Sequence, residues 1–421
     1  MKDIMKEDNI LKINDMTIKK ENRIVYDYEY SGIWKKVLTS NKFFIEYDFD
    51  VSNVPDSIKV IPFLSNILPI AWYFNATILI DEIDKKFWDS LPHILEGYKE
   101  MYPDINFGFN IKANTIVDNT ENNYKNVGTL FSGGVDSFST LLGHIKETPE
   151  LITVLGADIS LNDKEGEDSV KNYITEIGQK YNLKVNFIKS NLKDFINNKE
   201  LDNNAMNDDW WHAIQHGFGI IGLTSVIAYK EKLKTVYIAA SYSDKHKKIK
   251  CASDPRIDNK IKFINCDVIH DQYNYTRQDK LNLIINKSEL YNEKPFLRVC
   301  WQIKGGKNCS ICEKCARTIY GIIAAGGNPN DYGFIFNEKI NRKIKNYIKY
   351  KYNISELQIV FWKEIQDEFY NKRVLYENSK SYRWIYRINF DKIKYNFIRR
   401  LRKYVGKLLH KLGRKYTSGK I

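Results

Sequence analysis

Hydrophobic and polar positions follow one pattern up to about residue 124 and another beyond it. Arg23–Tyr30 and Phe43–Phe49 alternate apolar and polar residues, which predicts strands, and Ala76–Ile80 predicts a third. Phe87–Tyr102 places Phe87, Leu91, Ile94, Leu95 and Tyr98 on one helical face. Nothing in this stretch has catalytic spacing, so residues 1–124 read as a separate α+β scaffold region. Val60–Ile80 carries no charge and is long enough to cross a bilayer. Pro62, Asn66, Pro69 and Asn75 break it into short apolar blocks, which predicts a buried strand–turn–helix instead.

From Val127 the pattern alternates strand and helix. Strands are predicted at Val127–Phe131, Ile152–Leu155, Val185–Ile188 and Thr235–Ala240. Helices are predicted from Ser137 (core positions Leu141, Leu142 and Ile145), over Val170–Tyr181, and as one long apolar helix over Trp210–Tyr229. Such alternation implies a parallel sheet with crossover helices. Ligands in these sheets bind beyond the carboxyl ends of the strands. Here those ends are Ser132–Asp136, Gly156–Ser160, Lys189–Ser190 and Ser241–Asp244. The domain reading is 1–124, a nucleotide-binding unit over 125–325, a helical region over 326–390 that includes Ile354–Tyr370, and a tail over 391–421.

The stretch Ser132-Gly133-Gly134-Val135-Asp136-Ser137 joins the first of these strands to a helix N-terminus. Two glycines let backbone N–H groups approach an oxyanion, and the helix dipole adds partial positive charge. Ser132 and Ser137 can add hydroxyl donors. No lysine is present, so this is not a Walker A loop. An ordinary glycine turn before a helix is the plain alternative.

The other chemical signal is Cys300-x8-Cys309-x2-Cys312-x2-Cys315. Four thiolates at this spacing can close a tetrahedral shell around Zn²⁺, with Gly305 and Gly306 turning the chain back. A shell filled by protein leaves no place for water, so the zinc would be structural. An iron–sulfur cluster and redox thiols are the competing readings. Cys251 and Cys266 stand apart and read as buried thiols.

Ser-Gly-Gly-x-Asp-Ser after a strand resembles the PP-loop of the ATP pyrophosphatases. The late C-x8-C-x2-C-x2-C site, with Arg317 two residues after Cys315, is similar to that of the 7-cyano-7-deazaguanine synthases in that superfamily. The similarity covers about residues 125–325. The layout is also similar, more loosely, to the UDP-muramoyl-peptide glutamate epimerases. The chain departs from the synthases in its additions at both ends and in Asp208–Gly217, which is unlike their substrate segment.

The resemblance implies an α/β adenine-nucleotide alpha-hydrolase-like (HUP-type) core with a four-cysteine zinc knuckle. It implies ATP and Mg²⁺ as ligands, with cleavage between the α and β phosphates and transfer of AMP to a carboxylate or amide oxygen. The phosphates would lie on Ser132, Gly133, Gly134, Val135, Asp136 and Ser137. Asp136 would orient Mg²⁺ or the loop, capping the helix being its structural alternative. Adenine would lie against the next two strand ends, at Gly156, Asp158 and Lys189. Candidate substrate residues are His212 and His216, four apart on one helix face, together with Ser241, Asp244 and Arg277. For the two histidines, local hydrogen bonding is the structural alternative. The run Lys245, His246, Lys247, Lys248 and Lys250 reads as a solvated loop.

Composition locates the charge. The 421 residues are 43% hydrophobic and 14% aromatic, which excludes a disordered chain. Residues 391–421 hold eleven Lys or Arg and one acid, so +10 of the net +13 belongs to the tail and +3 to the other 390 residues. A nearly neutral body argues against an extended RNA surface. In the tail, Ile398, Leu401, Val405, Leu408 and Leu412 share one helical face against Arg and Lys. Such a helix suits an anionic membrane surface, packing on the protein, or RNA. A membrane contact would suggest cell-envelope or surface-glycan biosynthesis. No secretory signal is read at the start of the sequence, and the expected location is cytoplasmic, with the tail able to reach the inner membrane face. A tRNA-modifying thiolase using Cys251 or Cys266, a carboxylate-activating epimerase and a non-catalytic nucleotide-binding module are the alternative functions.

Overall fold

A computed structural model describes residues 8–203, 209–290, 293–351 and 354–390. Two compact units result. The first comprises Met1–Tyr275 with Lys304–Gly306, and the second comprises Thr276–Ile303 with Lys307–Ile421.

The first unit is built on eleven strands: β1 (Ile10–Lys19), β2 (Arg23–Tyr30), β3 (Phe44–Tyr47), β4 (Thr77–Asp84), β5 (Ile111–Val117), β6 (Asn126–Leu130), β7 (Glu150–Leu155), β8 (Val185–Ser190), β9 (Leu233–Ala239), β10 (Lys262–Phe263) and β11 (Cys266–Asp271). They form one sheet in the order β10-β11-β9-β6-β7-β8-β3-β2-β1-β4-β5. The run β11-β9-β6-β7-β8 is parallel throughout. The chain steps from β6 through β7 to β8 on one side, then returns to lay β9 and β11 on the other. This is the doubly wound order, with helices supplying the crossovers and a reversal point between β6 and β9.

The boundary expected at 124/125 does not separate two units. β3 pairs antiparallel with β8, Ile45 facing Ser190 and Tyr47 facing Ile188, so the N-terminal strands continue the same sheet. Side chains reinforce the seam. The Ser190 hydroxyl donates to the Phe44 carbonyl (2.8 Å), and Asn191 accepts from the Phe44 N–H (2.8 Å) while donating to the Lys42 carbonyl (2.9 Å). β2 and the helix Lys85–Met101 match expectation, with all five apolar positions of that helix buried.

Val60–Ile80 reverses the expected order. It is a helix, Ile61–Phe74, then a turn, then β4. Pro62 lies in the first turn, where its missing N–H costs nothing, and Asn75 ends the helix in the left-handed region (φ 53°). The helix is buried on nearly every face because the helix His216–Gly222 lies hard against it. A Cβ on Gly222 would stand 1.9 Å from the Ser65 hydroxyl, and one on Gly219 would stand 2.7 Å from Asn66 Oδ1. Among the described residues no helix is long and apolar enough to cross a membrane.

Trp210–Tyr229 is not one helix. A π-helical turn at Trp211–Gln215 leads into His216–Gly222, and a second short helix, Ser225–Glu231, follows. The Thr224 hydroxyl donates back to the Ile221 carbonyl (2.7 Å) at the break. Side chains of this kind compete with the helical ladder.

The second unit is helical. Arg277–Leu290, Glu313–Ala325 and Glu356–Asn371 pack together, so the expected boundary at 325/326 falls inside it. Its core gathers around Tyr320, whose ring contacts Trp362, Phe369 and Trp384 at centroid distances of 5.9, 6.5 and 5.3 Å. Offset and edge contacts of this type contribute beyond the area they bury. Residues 391–421, with the predicted amphipathic stripe, lie outside the described residues.

Candidate active site and metal centre

The glycine loop leaves β6 at the sheet's reversal point. Its entry is fixed by the buried Phe131, whose N–H donates to the Ile152 carbonyl (2.8 Å) and whose carbonyl accepts from the Thr153 hydroxyl (2.7 Å). Gly133 has φ +74°, and a Cβ there would stand 2.6 Å from Cε1 of Tyr173 on the helix Lys164–Tyr181. Only glycine meets both conditions. The Ser137 hydroxyl folds the loop over itself: it accepts from the Ser132 N–H (3.3 Å), donates to the Gly134 carbonyl (3.3 Å), and shares a 3.3 Å hydrogen bond with the Ser132 hydroxyl.

The helix starts at Val135, two residues earlier than predicted, and runs to His144. Its N-cap is Gly134, which has no side chain to cap the first-turn N–H groups, and the half-buried Asp136 lies in that turn. Leu141 and Leu142 are buried, whereas Ile145 is half-buried and opens a short 3₁₀ turn beyond the helix.

The next strand ends converge. Gly156 has φ +101°, and a Cβ there would lie 1.9 Å from the Ser190 carbonyl, so the ends of β7 and β8 touch backbone to backbone. Asp158 is exposed. The Lys189 ammonium is held by Glu167 at 2.8 Å, and Glu167 also binds Lys171 at 2.9 Å. Burial alone would push the Glu167 pKa up, but the two ammonium groups hold it below the usual range.

Beyond β9, Ala240–Asp244 is zipped to the segment after β11. The Ala240 N–H donates to the Asp271 carbonyl (3.0 Å) and the Asp244 N–H to the Tyr273 carbonyl (2.8 Å). Ser241 is half-buried and Asp244 exposed. His212 joins this loop, its ring 6.3 Å from that of Tyr242 and nearly perpendicular to it. His216 turns instead to Trp211 (5.4 Å). The two rings therefore have different partners. Lys245, Lys247, Lys248 and Lys250 are exposed, as a solvated loop requires. Arg277 falls in the second unit, buried, with its guanidinium 5.8 Å from the Phe361 ring, and Arg317 lies 4.3 Å from the same ring.

Two polar clusters in the first unit were not legible in the sequence. His144 bridges Glu147 (2.6 Å) and Asp271 (3.0 Å) and stacks on Tyr237 at 3.9 Å. Its pKa is raised to about 9, first by the Asp271 hydrogen bond, against burial, and then by Glu147. His270 and Asp258, both buried, pair at 2.8 Å, and the Ser253 hydroxyl donates to the same carboxylate at 2.7 Å. Burial pushes the Asp258 carboxyl up. Both histidine pairings depend on β11, which periodicity did not reveal.

In the second unit, Cys300, Cys309, Cys312 and Cys315 bring their sulfurs within 4.8 Å of one another, the only such group among the described residues. Gly305 and Gly306, both left-handed (φ +80° and +70°), make the expected return turn. Asn308 clamps it: its carbonyl accepts from the Val299 and Cys300 N–H groups (3.0 and 3.2 Å), and its amide donates to the Leu297 and Gly333 carbonyls (2.8 and 3.1 Å). The Cys312 N–H donates to Cys309 Sγ (3.2 Å) and the Cys315 N–H to Cys312 Sγ (3.4 Å). The Cys300–Cys312 and Cys309–Cys315 sulfurs are 3.9 and 3.8 Å apart, too far for disulfides, and all six cysteines are free. A tetrahedron with metal–sulfur bonds of about 2.3 Å has edges of about 3.8 Å, so the four sulfurs could hold a tetrahedrally coordinated metal ion. Cys251 and Cys266 are buried, and burial pushes the Cys251 thiol up to about 12.

A scan against protein-family models finds no match to this chain, and a search of curated proteins finds none either.

The His144 clasp has a pH signature. A pKa raised from 6.5 to about 9 on folding gives stabilisation that is fully present below pH 6.5 and lost as pH rises through 9. His144→Gln is therefore expected to lower the urea midpoint at pH 6 and to leave it nearly unchanged at about pH 10. An equal deficit at both pH values would contradict the charged clasp.

Proposed function

We propose that this chain is an ATP pyrophosphatase-type enzyme that transfers AMP to a carboxylate or amide oxygen of a small molecule and releases pyrophosphate. The observation that carries the reading is positional. The Ser-Gly-Gly-x-Asp-Ser loop leaves the central strand at the β6/β9 reversal, where doubly wound sheets bind ligands. The N-cap Gly134 leaves the first-turn N–H groups without a side-chain cap, which suits an anion site at a helix N-terminus. The mostly parallel α/β sheet is the class of fold that the motif suggests.

The reaction assigns roles to the chain's own residues. The substrate oxygen attacks the α-phosphorus of ATP, a new P–O bond forms, and the bond to the β-phosphate bridging oxygen breaks. Charge grows on the departing pyrophosphate. Backbone N–H groups of Gly133–Ser137 and the Ser132 hydroxyl would neutralise it. Asp136 would hold Mg²⁺, which supplies further charge neutralisation when bound. The ends of β7 and β8, drawn together at Gly156, form the wall for adenine. His212 and Tyr242, whose rings meet beyond the end of β9, and Ser241 in the same loop would contact the acceptor. The activated product is open to amidation, ligation or deprotonation at the neighbouring carbon. A thiolase is disfavoured, because a sulfur carrier must reach its thiolate and the burial of Cys251 and Cys266 opposes that.

Incubation with ATP, Mg²⁺ and candidate carboxylates or amides is expected to yield AMP and pyrophosphate. Asp136→Ala should reduce turnover by about 10²-fold or more at an unchanged thermal midpoint. ADP as product would identify a kinase, no turnover with tight ATP binding a nucleotide-binding module, and undiminished turnover in the variant would remove the loop from the reaction.

The four-cysteine centre is proposed as a structural Zn²⁺ site. Elemental analysis should find one zinc per chain, and Cys312→Ser should lose the metal and unfold the second unit. Iron in the purified protein, or a folded metal-free chain, would overturn this assignment.

A further inference from the structure

We propose that the end of the second unit is a docking surface for an anionic lipid membrane, with Val374 and Leu375 as the inserting pair. The short helix Arg373–Tyr376 follows Glu356–Asn371 and buries none of its residues. Val374 is 89% exposed and Leu375 68% exposed. They do not sit on a loose end. The Tyr376 hydroxyl donates to the Ile323 carbonyl (2.5 Å), and the Lys372 ammonium donates to the Ala325 carbonyl (3.0 Å) and to Glu368 (3.0 Å). The helix is pinned to the unit by one face, and its two aliphatic side chains are displayed on the other. An adjacent pair held this way differs from scattered surface aliphatics, which need no explanation.

The surroundings are basic. Residues 372–390 contain five Lys or Arg and one acid, Glu377. Glu377 is paired with Arg373 at 2.6 Å. Lys380, Arg383 and Arg387 are exposed. Tyr382, beside Arg383, packs its ring 5.8 Å from that of Tyr376, so the basic residues and the apolar pair share one region. The chain then continues into 391–421, with its eleven Lys or Arg and its recurring apolar positions.

Charge selects the occupant. The tail cannot be drawn onto this patch by electrostatics, because both carry net positive charge. A second copy of the same patch would bring like charges together across a two-fold interface. RNA would neutralise the basic side chains but leave Val374 and Leu375 in water. A bilayer rich in acidic headgroups meets both demands: hydrocarbon takes the aliphatic pair, and the headgroup plane takes the lysines and arginines.

The test is flotation of the full chain with phosphatidylcholine vesicles, with and without phosphatidylglycerol. Binding to the anionic vesicles only is expected, and it should weaken steeply with salt. The double variant V374D/L375D should lower partitioning about tenfold or more, with circular dichroism and thermal midpoint unchanged at so exposed a site. R383E/R387E should lower it comparably and flatten the salt dependence, which keeps the test open if the first variant misfolds. Equal capture by neutral vesicles, wild-type partitioning of both double variants, or retention on single-stranded RNA without vesicle binding would each overturn the assignment.

Discussion

The structure of the first unit depends on β6 being paired in parallel on both sides, with β7 and with β9. A strand so placed cannot shift register without unpairing two neighbours at once. Its carboxyl end is therefore held from both sides, and the glycine loop begins there. Gly128 tightens the arrangement, since a Cβ there would stand 2.9 Å from Leu233 and 3.0 Å from Ile152, the side chains of both flanking strands.

Glycines recur at the tightest contacts of this unit. Gly133 fits under Tyr173, Gly156 meets the Ser190 carbonyl, and Gly219 and Gly222 receive Asn66 and Ser65. The N-terminal residues thus do more than surround the parallel half of the sheet. They extend its sheet through β3 and cover it with the helix Ile61–Phe74. The second unit solves a different problem, closing its chain with a clamp at Asn308 and four convergent thiols.

Legibility from sequence followed the range of the forces. The loop after β6, the cysteine spacing, β2 and the helix Lys85–Met101 are specified by residues close in sequence, and they stood out. The continuity of the sheet did not, because the pairing of β3 with β8 joins residues far apart and leaves no local trace. Ile61–Phe74 was misread because a helix buried all round loses the amphipathic stripe by which helices are recognised. The apolar run Trp210–Tyr229 hid its interruption, where the Thr224 hydroxyl bonds back to Ile221 and Gly219 and Gly222 pack on the distant Asn66 and Ser65. β11 escaped notice, and with it the partners of His144 and His270. Of the substrate candidates, His212 and Ser241 fall beside the end of β9, while His216 turns toward Trp211 and Arg277 belongs to the second unit.

The central claim is that an adenine nucleotide binds with its phosphates on the loop at the β6/β9 reversal. The most direct measurement is titration calorimetry of the full chain with α,β-methylene-ATP and Mg²⁺, beside the variant Gly133→Val. That substitution forces a branched side chain into a left-handed position and toward Tyr173, so it should close the loop to phosphate. Saturable binding by the native chain, lost in a variant that keeps its far-UV spectrum, is the predicted result. Equal affinity in the two proteins, or no binding by either, would contradict the account.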